Sequence, residues 1–378
     1  MKYYIKEDAL KKLIKLTVFI LSVSAVVNAQ QDYLKNISWN SELRTRFVDQ
    51  TGTDRNRIGN GGFKSENKNR SRWRNVLRGT VNLSDEWGID ADFRILRNGT
   101  HTYNAPDGKN FKKTGIQEAW ETEISLSKSI KIASLDTTWT LGWENKTNRA
   151  KQKRNSSGVW SNNISGKMNT VGISNEFYFG PSATFNVLGT KLDTTLQLAH
   201  VSIKGNRAGD YYRTGENFTD GKGKGWGINF NIVNSKNLIK AKWGSIGYSL
   251  SLTNKFRDMN GTLTGTGKKA GSNVYLDYII DLGYSTPEYK GFYAKASVNN
   301  EWEKYTAASG YENTFALWTT VGYKKNFSTS SGTFFIHPTI RYSPVYKYTV
   351  KDADSKDRKT VEYNELIAGI TFGYTHKK

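Results

Sequence analysis

The sequence predicts an all-β chain: a transmembrane antiparallel up-and-down β-barrel of about 14 strands, with short periplasmic turns and long extracellular loops. Three observations lead there. Apolar residues recur at every second position through one segment after another, the period of a strand. The segments follow one another at a spacing of roughly 25 residues and are joined alternately by short and long connections, as hairpins with two different ends would be. A basic and then apolar leader precedes them, and after it no apolar run is long enough for a membrane helix.

In the leader, Lys2, Lys6, Lys11, Lys12 and Lys15 come before the run LTVFILSVSAVV, which ends at Val27-Asn28-Ala29 with small residues at the spacing a signal peptidase requires. The expectation is a cleaved signal peptide over 1–29 and an outer-membrane barrel over 30–378. Cleavage would remove those lysines with Glu7 and Asp8, so a net charge of +21 stays strongly basic. The absence of cysteine excludes disulfides, thiolate metal sites and thiol catalysis, and suits an oxidising periplasm. An aromatic content of 13% argues against disorder.

The first strand, NISWNSELRTRFV at 36–48, places Ile37, Trp39, Leu43 and Phe47 on one face and Glu42, Arg44 and Arg46 on the other. The second sets Trp73, Leu77 and Val81 against Arg72, Arg74 and Arg78, and the third sets Phe93 and Ile95 against Asp92 and Arg94. Next, Trp120, Ile124 and Leu126 alternate with Glu121 and Glu123, then Trp139, Leu141 and Trp143 with Glu144, and Phe177 and Phe179 with Glu176. Leu196 and Leu198 oppose Asp193 and Gln197, and Trp226, Ile228 and Phe230 oppose Asn229 and Asn231. Further on come Tyr248, Leu250 and Leu252 against Ser249 and Ser251, Tyr278, Ile280 and Leu282 against Asp277 and Asp281, and Val298 and Trp302 against Asn299 and Glu301. The last three strands carry Phe315, Leu317 and Val321, then Phe334, Ile336 and Ile340, then Leu366, Ile370 and Phe372. Segments 128–136, 180–191 and 235–243 hold extra apolar residues, readable as longer periplasmic hairpins or as phase slips at a bulge.

Alternation alone does not say which face meets water. Aromatic residues near both strand ends do. Trp39 and Phe47 lie roughly 27 Å apart along a strand and about 20 Å after tilting, near the height of a bilayer barrel's apolar band. Trp139 with Trp143 and Phe292 with Trp302 read the same way, as interfacial girdles.

With the apolar face turned to lipid, the inward residues predicted to line a pore are Glu42, Arg44, Arg46, Arg72, Arg74, Arg78, Asp92, Arg94, Glu121, Glu123, Asp277 and Asp281. An arginine wall across from carboxylates would set a transverse field over a water-filled constriction. The other reading of the same charges is lumen salt bridges that stabilise the wall. The connection from Asn148 to Lys167 is the candidate for folding inward, beside equally long ones from Asp49 to Arg70 and Gly205 to Gly223. Loop cations such as Arg149, Lys151, Lys153 and Arg154 would meet lipopolysaccharide phosphates or acidic surfaces.

No compact basic helix or aromatic stacking module points to nucleic acid. His101, His200, His337 and His376 have no serine and acid at a catalytic spacing, so no enzyme and no cofactor is expected. GKGKGWG at 221–227 leads into a strand and lacks the helix of a phosphate loop.

LRTRF at 43–47, NRSRWRNVLRGTVNL at 69–83 and WGIDADFRIL at 87–96 resemble the arginine-rich opening hairpins of fusobacterial major outer-membrane porins, the FomA-like family. The resemblance implies a general diffusion porin, trimeric and surface-exposed, passing small hydrophilic solutes and able to bind host or bacterial surface ligands. Arg44, Arg46, Arg72, Arg74 and Arg78 would be its lumen arginines. Oligogalacturonate-type porins are similar in their arginine ladders for acidic sugars. The tail departs from the pattern, because Phe372 and Tyr374 are followed by THKK rather than ending the chain on an aromatic residue. The expectation is therefore a passive channel in the outer membrane, with an adhesin or receptor barrel as the alternative.

Overall fold

The computed structural model describes residues 34–49, 69–104, 112–154, 160–162, 168–205, 222–262, 269–306, 311–351 and 358–376. The predicted leader lies outside them. In chain order the strands are β1 Leu34–Asp49, β2 Asn69–Ser84, β3 Ile89–Asn104, β4 Lys112–Ile132, β5 Leu135–Arg154, β6 Trp160–Asn162, β7 Met168–Val187 and β8 Thr190–Gly205. They continue as β9 Lys222–Ala241, β10 Gly244–Thr262, β11 Lys269–Ser285, β12 Phe292–Tyr305, β13 Tyr311–Tyr323, β14 Lys325–Ser328, β15 Gly332–Lys351 and β16 Arg358–His376. No described residue is helical.

Each wall strand pairs antiparallel with its neighbours. The pairing of β13 with β15 and of β1 with β16 closes the sheet on itself. The short β14 carries β13 onward along β15, and β6 pairs only with the end of β5. The wall is thus a closed ring of fourteen strands, the architecture the alternation predicts. Closure leaves no unpaired edge.

Two-residue turns join β4 to β5 at Ala133–Ser134, β7 to β8 at Leu188–Gly189 and β9 to β10 at Lys242–Trp243. Tight hairpins need left-handed backbone, and Ala133, Leu188 and Gly189 have φ of 55°, 49° and 70°. The apolar-rich segments therefore resolve as strands running almost to these turns. Around 235–243 a bulge is present as well, since the register slips between Ile246 and Gly247. One expectation needs correcting: Asn148–Arg154, including Arg149, Lys151, Lys153 and Arg154, is not loop but the far end of β5, and Trp160–Asn162 pairs back onto it. The chain is polar on both faces there, so hydropathy hides a strand that hydrogen bonding sustains. Residues 155–159 and 163–167 lie outside the described set.

Which face is inner follows from bonds that jump over a strand, because only the concave side brings such residues together. Arg94 on β3 reaches Glu144 on β5 at 3.3 Å, and Tyr178 on β7 donates to Glu123 on β4 at 2.8 Å. The opposite face is apolar and open, with Leu141 54%, Leu198 62% and Ile340 59% exposed. Its aromatic residues pair across strands in two tiers. Trp39–Phe372, Phe334–Tyr374 and Phe292–Tyr323 lie toward the short turns, and Trp143–Phe177 and Tyr278–Trp302 toward the longer connections.

Candidate functional site: the charged inner wall

The side chains on the inner face follow from register. Glu42 pairs across from Arg74 and Arg44 from Arg72, so β1 and β2 present their charges together. Arg78 pairs with Arg94, and Arg94 with Glu123, which carries the row into β3 and β4. All twelve residues predicted to line a pore fall on this face by register, including Asp277 and Asp281 on β11.

The arginine ladder is bonded in part to carboxylates beside it. Arg72 Nη2 donates to both Glu42 oxygens, at 3.0 and 2.9 Å, and Arg44 Nε lies 3.6 Å from the same carboxylate. Arg94 gathers Glu123 at 3.0 Å, Glu144 at 3.3 Å and Glu121 at 3.4 Å. Arg46 bonds Glu365 at 2.6 Å, and Asp92 accepts from Thr80 at 2.7 Å and Ser127 at 3.3 Å. Arg46, Arg72 and Arg94 are thus ion-paired within the wall, as the salt-bridge reading expects, while Arg74 and Arg78 have no ion pair among the described residues.

Farther round, β11 stands halfway about the ring from β3. There the carboxylate oxygens of Asp277, Glu301 and Glu303 lie within 4.8 Å of one another, and Tyr275 donates to Glu303 at 2.6 Å. Among the described residues this is the one trio of metal-ligating side chains whose donor atoms converge. Its all-oxygen chemistry is of the kind hard cations take. A cluster of carboxylates thus stands across the ring from the arginines.

Several inner-wall residues were not singled out from the sequence. Arg257 on β10, 1% exposed, donates to Glu176 on β7 at 3.0 Å and to Asn229 on β9 at 2.6 Å. Asn229 in turn donates to Glu176 at 2.6 Å. Beside this network Ala199, Val201, Ile203 and Met259 form an apolar cluster on the same inner face. Arg341 and Glu365, on β15 and β16, also went unread. Their strands are marked by aromatic and apolar alternation, and an isolated charge within it carries no signal of its own.

The histidines are occupied elsewhere: His337 shares a 2.6 Å hydrogen bond with the Tyr293 hydroxyl, and the His200 ring packs 4.7 Å from Trp226 on the outer face. The side chain of His101 lies outside the described set.

No family model matches the chain, and no curated protein matches it. Solved structures similar to it in strand architecture include a Pseudomonas aeruginosa FadL homologue, at 11% identity and a TM-score of 0.40, with 91% of this chain and 90% of that one covered. Pseudomonas putida OprB in its low-pH structure is 9% identical, with a TM-score of 0.35 and coverage of 94% and 96%. An anion-selective porin from Comamonas acidovorans is 11% identical, with a TM-score of 0.31 and coverage of 90% and 99%. Likenesses this remote carry no side-chain correspondence.

Proposed function

We propose that the chain is an outer-membrane porin, a passive water-filled channel through which ions and small hydrophilic solutes diffuse. The observation that carries this reading is the inversion of the ring: charged and polar side chains inside, large apolar ones exposed outside. In water the outer face would be an apolar surface far beyond the few hundred Å² a soluble monomer tolerates. In a bilayer it is the lipid-facing band between two aromatic tiers. Rings of eight strands are nearly filled by their own side chains and those of sixteen hold an aqueous channel, so fourteen leave a narrow passage. Arginines on β1–β3 facing carboxylates on β11 and β12 would sort solutes by charge within it.

Single-channel recording in a planar bilayer tests this. Stepwise ohmic currents are expected from the refolded protein. Replacing Arg72 and Arg74 together by glutamine should shift the reversal potential under a salt gradient toward cation preference. The shift should be largest near 0.1 M salt and shrink by 1 M, where screening acts over about 3 Å. A folded barrel that stays electrically silent would overturn the channel and bring the surface-binding alternative forward.

A further inference from the structure

Where β13, β15, β16 and β1 meet, the inner wall changes character. The register slips between Leu317 and Thr319 on β13 and between Ser343 and Tyr346 on β15. The paired irregularities tuck Trp318 into the wall, 7% exposed, with Ala316, Ile367 and Tyr346 packed against it. On this apolar floor lies the Arg341 guanidinium, its carbon 3.7 Å from the centre of the Trp318 ring. Stacking occupies the flat face of a guanidinium and leaves its N–H edge free to donate. Arg341 has no hydrogen bond or ion pair with any described residue.

Register places this edge across β16 from Arg46 and Arg44, with the Glu365 and Asp281 carboxylates also in its surroundings. Across β16, Arg341 and Arg46 both stand opposite Ile367, and Thr339 and Arg44 both stand opposite Gly369. Gly369 carries no side chain between them, and an added Cβ there would stand 3.2 Å from the Leu43 carbonyl oxygen and 3.6 Å from Arg44 Cβ. Arg46 is already bonded to Glu365, whereas Arg44 has only its long 3.6 Å approach to Glu42. Two arginines with donors to spare among the described residues thus lie on either side of Gly369, next to the packed Trp318 and Ile367.

We infer that Arg341 and Arg44, on either side of Gly369, form a subsite for the carboxylate of a small organic solute on its way through the lumen. The guanidinium held flat offers the planar fork that matches a carboxylate. Tyr346, half-buried at the edge of this cluster, offers a ring surface to an organic body behind that carboxylate, which a fully hydrated inorganic anion would not use. This deepens the pore reading and rests on it.

Benzoate is the probe, with inorganic phosphate as comparison and currents recorded in 0.1 M KCl. Benzoate should reduce the open-channel current at concentrations where phosphate does not. Arg341→Gln and Arg44→Gln should each raise the half-blocking concentration about tenfold, the size of effect expected from losing one charge-assisted interaction. Arg341→Lys, which keeps the charge but not the fork, should also weaken block. Lys347→Gln removes one charge from an exposed outer position, 44% accessible and paired with Glu362, and should leave block unaltered. Titration calorimetry on the folded barrel in detergent supplies the arm that needs no conduction: benzoate heat present in the parent and lost in Arg341→Gln. Block equal in all variants, or equal for phosphate, would overturn the subsite and leave the channel standing. Calorimetric binding by a barrel that never conducts would overturn the channel and leave the subsite. If Arg341→Gln does not fold, Arg44→Gln decides by the same two readouts.

Discussion

At Gly225 and Gly227 the missing side chains let Arg257 lie along the wall. A Cβ at Gly227 would stand 2.0 Å from the Phe256 carbonyl oxygen and 2.8 Å from Arg257 Cδ, and one at Gly225 would meet Met259 Sδ at 2.6 Å. Gly225 and Gly227 are therefore spacers for a neighbouring strand's long side chains. The sequence shows only that their run leads into a strand, because the Arg257 and Met259 they make room for lie some thirty residues on. Arg257→Met should destabilise the refolded barrel by about 3–5 kcal/mol in urea unfolding, since it breaks the buried ion pair with Glu176. Because Lys255 also lies beside Glu176, replacing Arg257 and Glu176 together by methionine should recover only part of that loss. Equal destabilisation by the single and double variants would show that the pair is not what holds this part of the wall. The segment FRDMN at 256–260 hid the network from sequence reading for a physical reason: Met259 and Arg257 face inward while Phe256 and Asp258 face outward, so hydropathy no longer marks the face.

Among the elements, the tight hairpins show where pattern sufficed and where it failed. Strand β7 was legible from Phe177 and Phe179, but its last residues, ending at Val187, were not, because the turn that follows has leucine where glycine or asparagine would announce it. Leu188 sits at φ 49° and is 96% exposed, a conformation that disfavours an L side chain by about 1–2 kcal/mol. Asparagine tolerates that backbone, so Leu188→Asn should raise the urea midpoint by the equivalent of about 0.5–1 kcal/mol. A lowered midpoint would mean that the leucine makes a stabilising contact of its own. The far end of β5 failed for the opposite reason. RAKQKR at 149–154 is polar on both faces, as a strand becomes once neither face meets apolar surroundings.

For the molecule as a whole, the existence of two faces was readable from period-two alternation, and the aromatic residues near the strand ends marked the apolar one as the outer; on the proposed reading a bilayer imposes the same demand on every strand. The charges on the inner face were readable too. Their partners were not, since Arg46 finds Glu365 only once the first and last described strands lie side by side. The bilayer demand has a direct test. Leu141, exposed on the outer face of β5, replaced by arginine should reduce stability in lipid vesicles by about 2–4 kcal/mol. An unchanged stability would show that this face is not in hydrocarbon.

The seam between β1 and β16 has a bearing on how the barrel comes into being. Ser38 lies opposite Thr375 and Asp49 opposite Asn364, so contacts that complete the ring join residues separated by nearly the whole described chain. Pairings so distant in sequence form late and slowly. Until they do, the nascent sheet has two free borders able to recruit strands from other chains. Assembly is then a race between zippering the seam and sticking to a neighbour. A chain cut short before β16 would lose that race however well its remaining hairpins were formed.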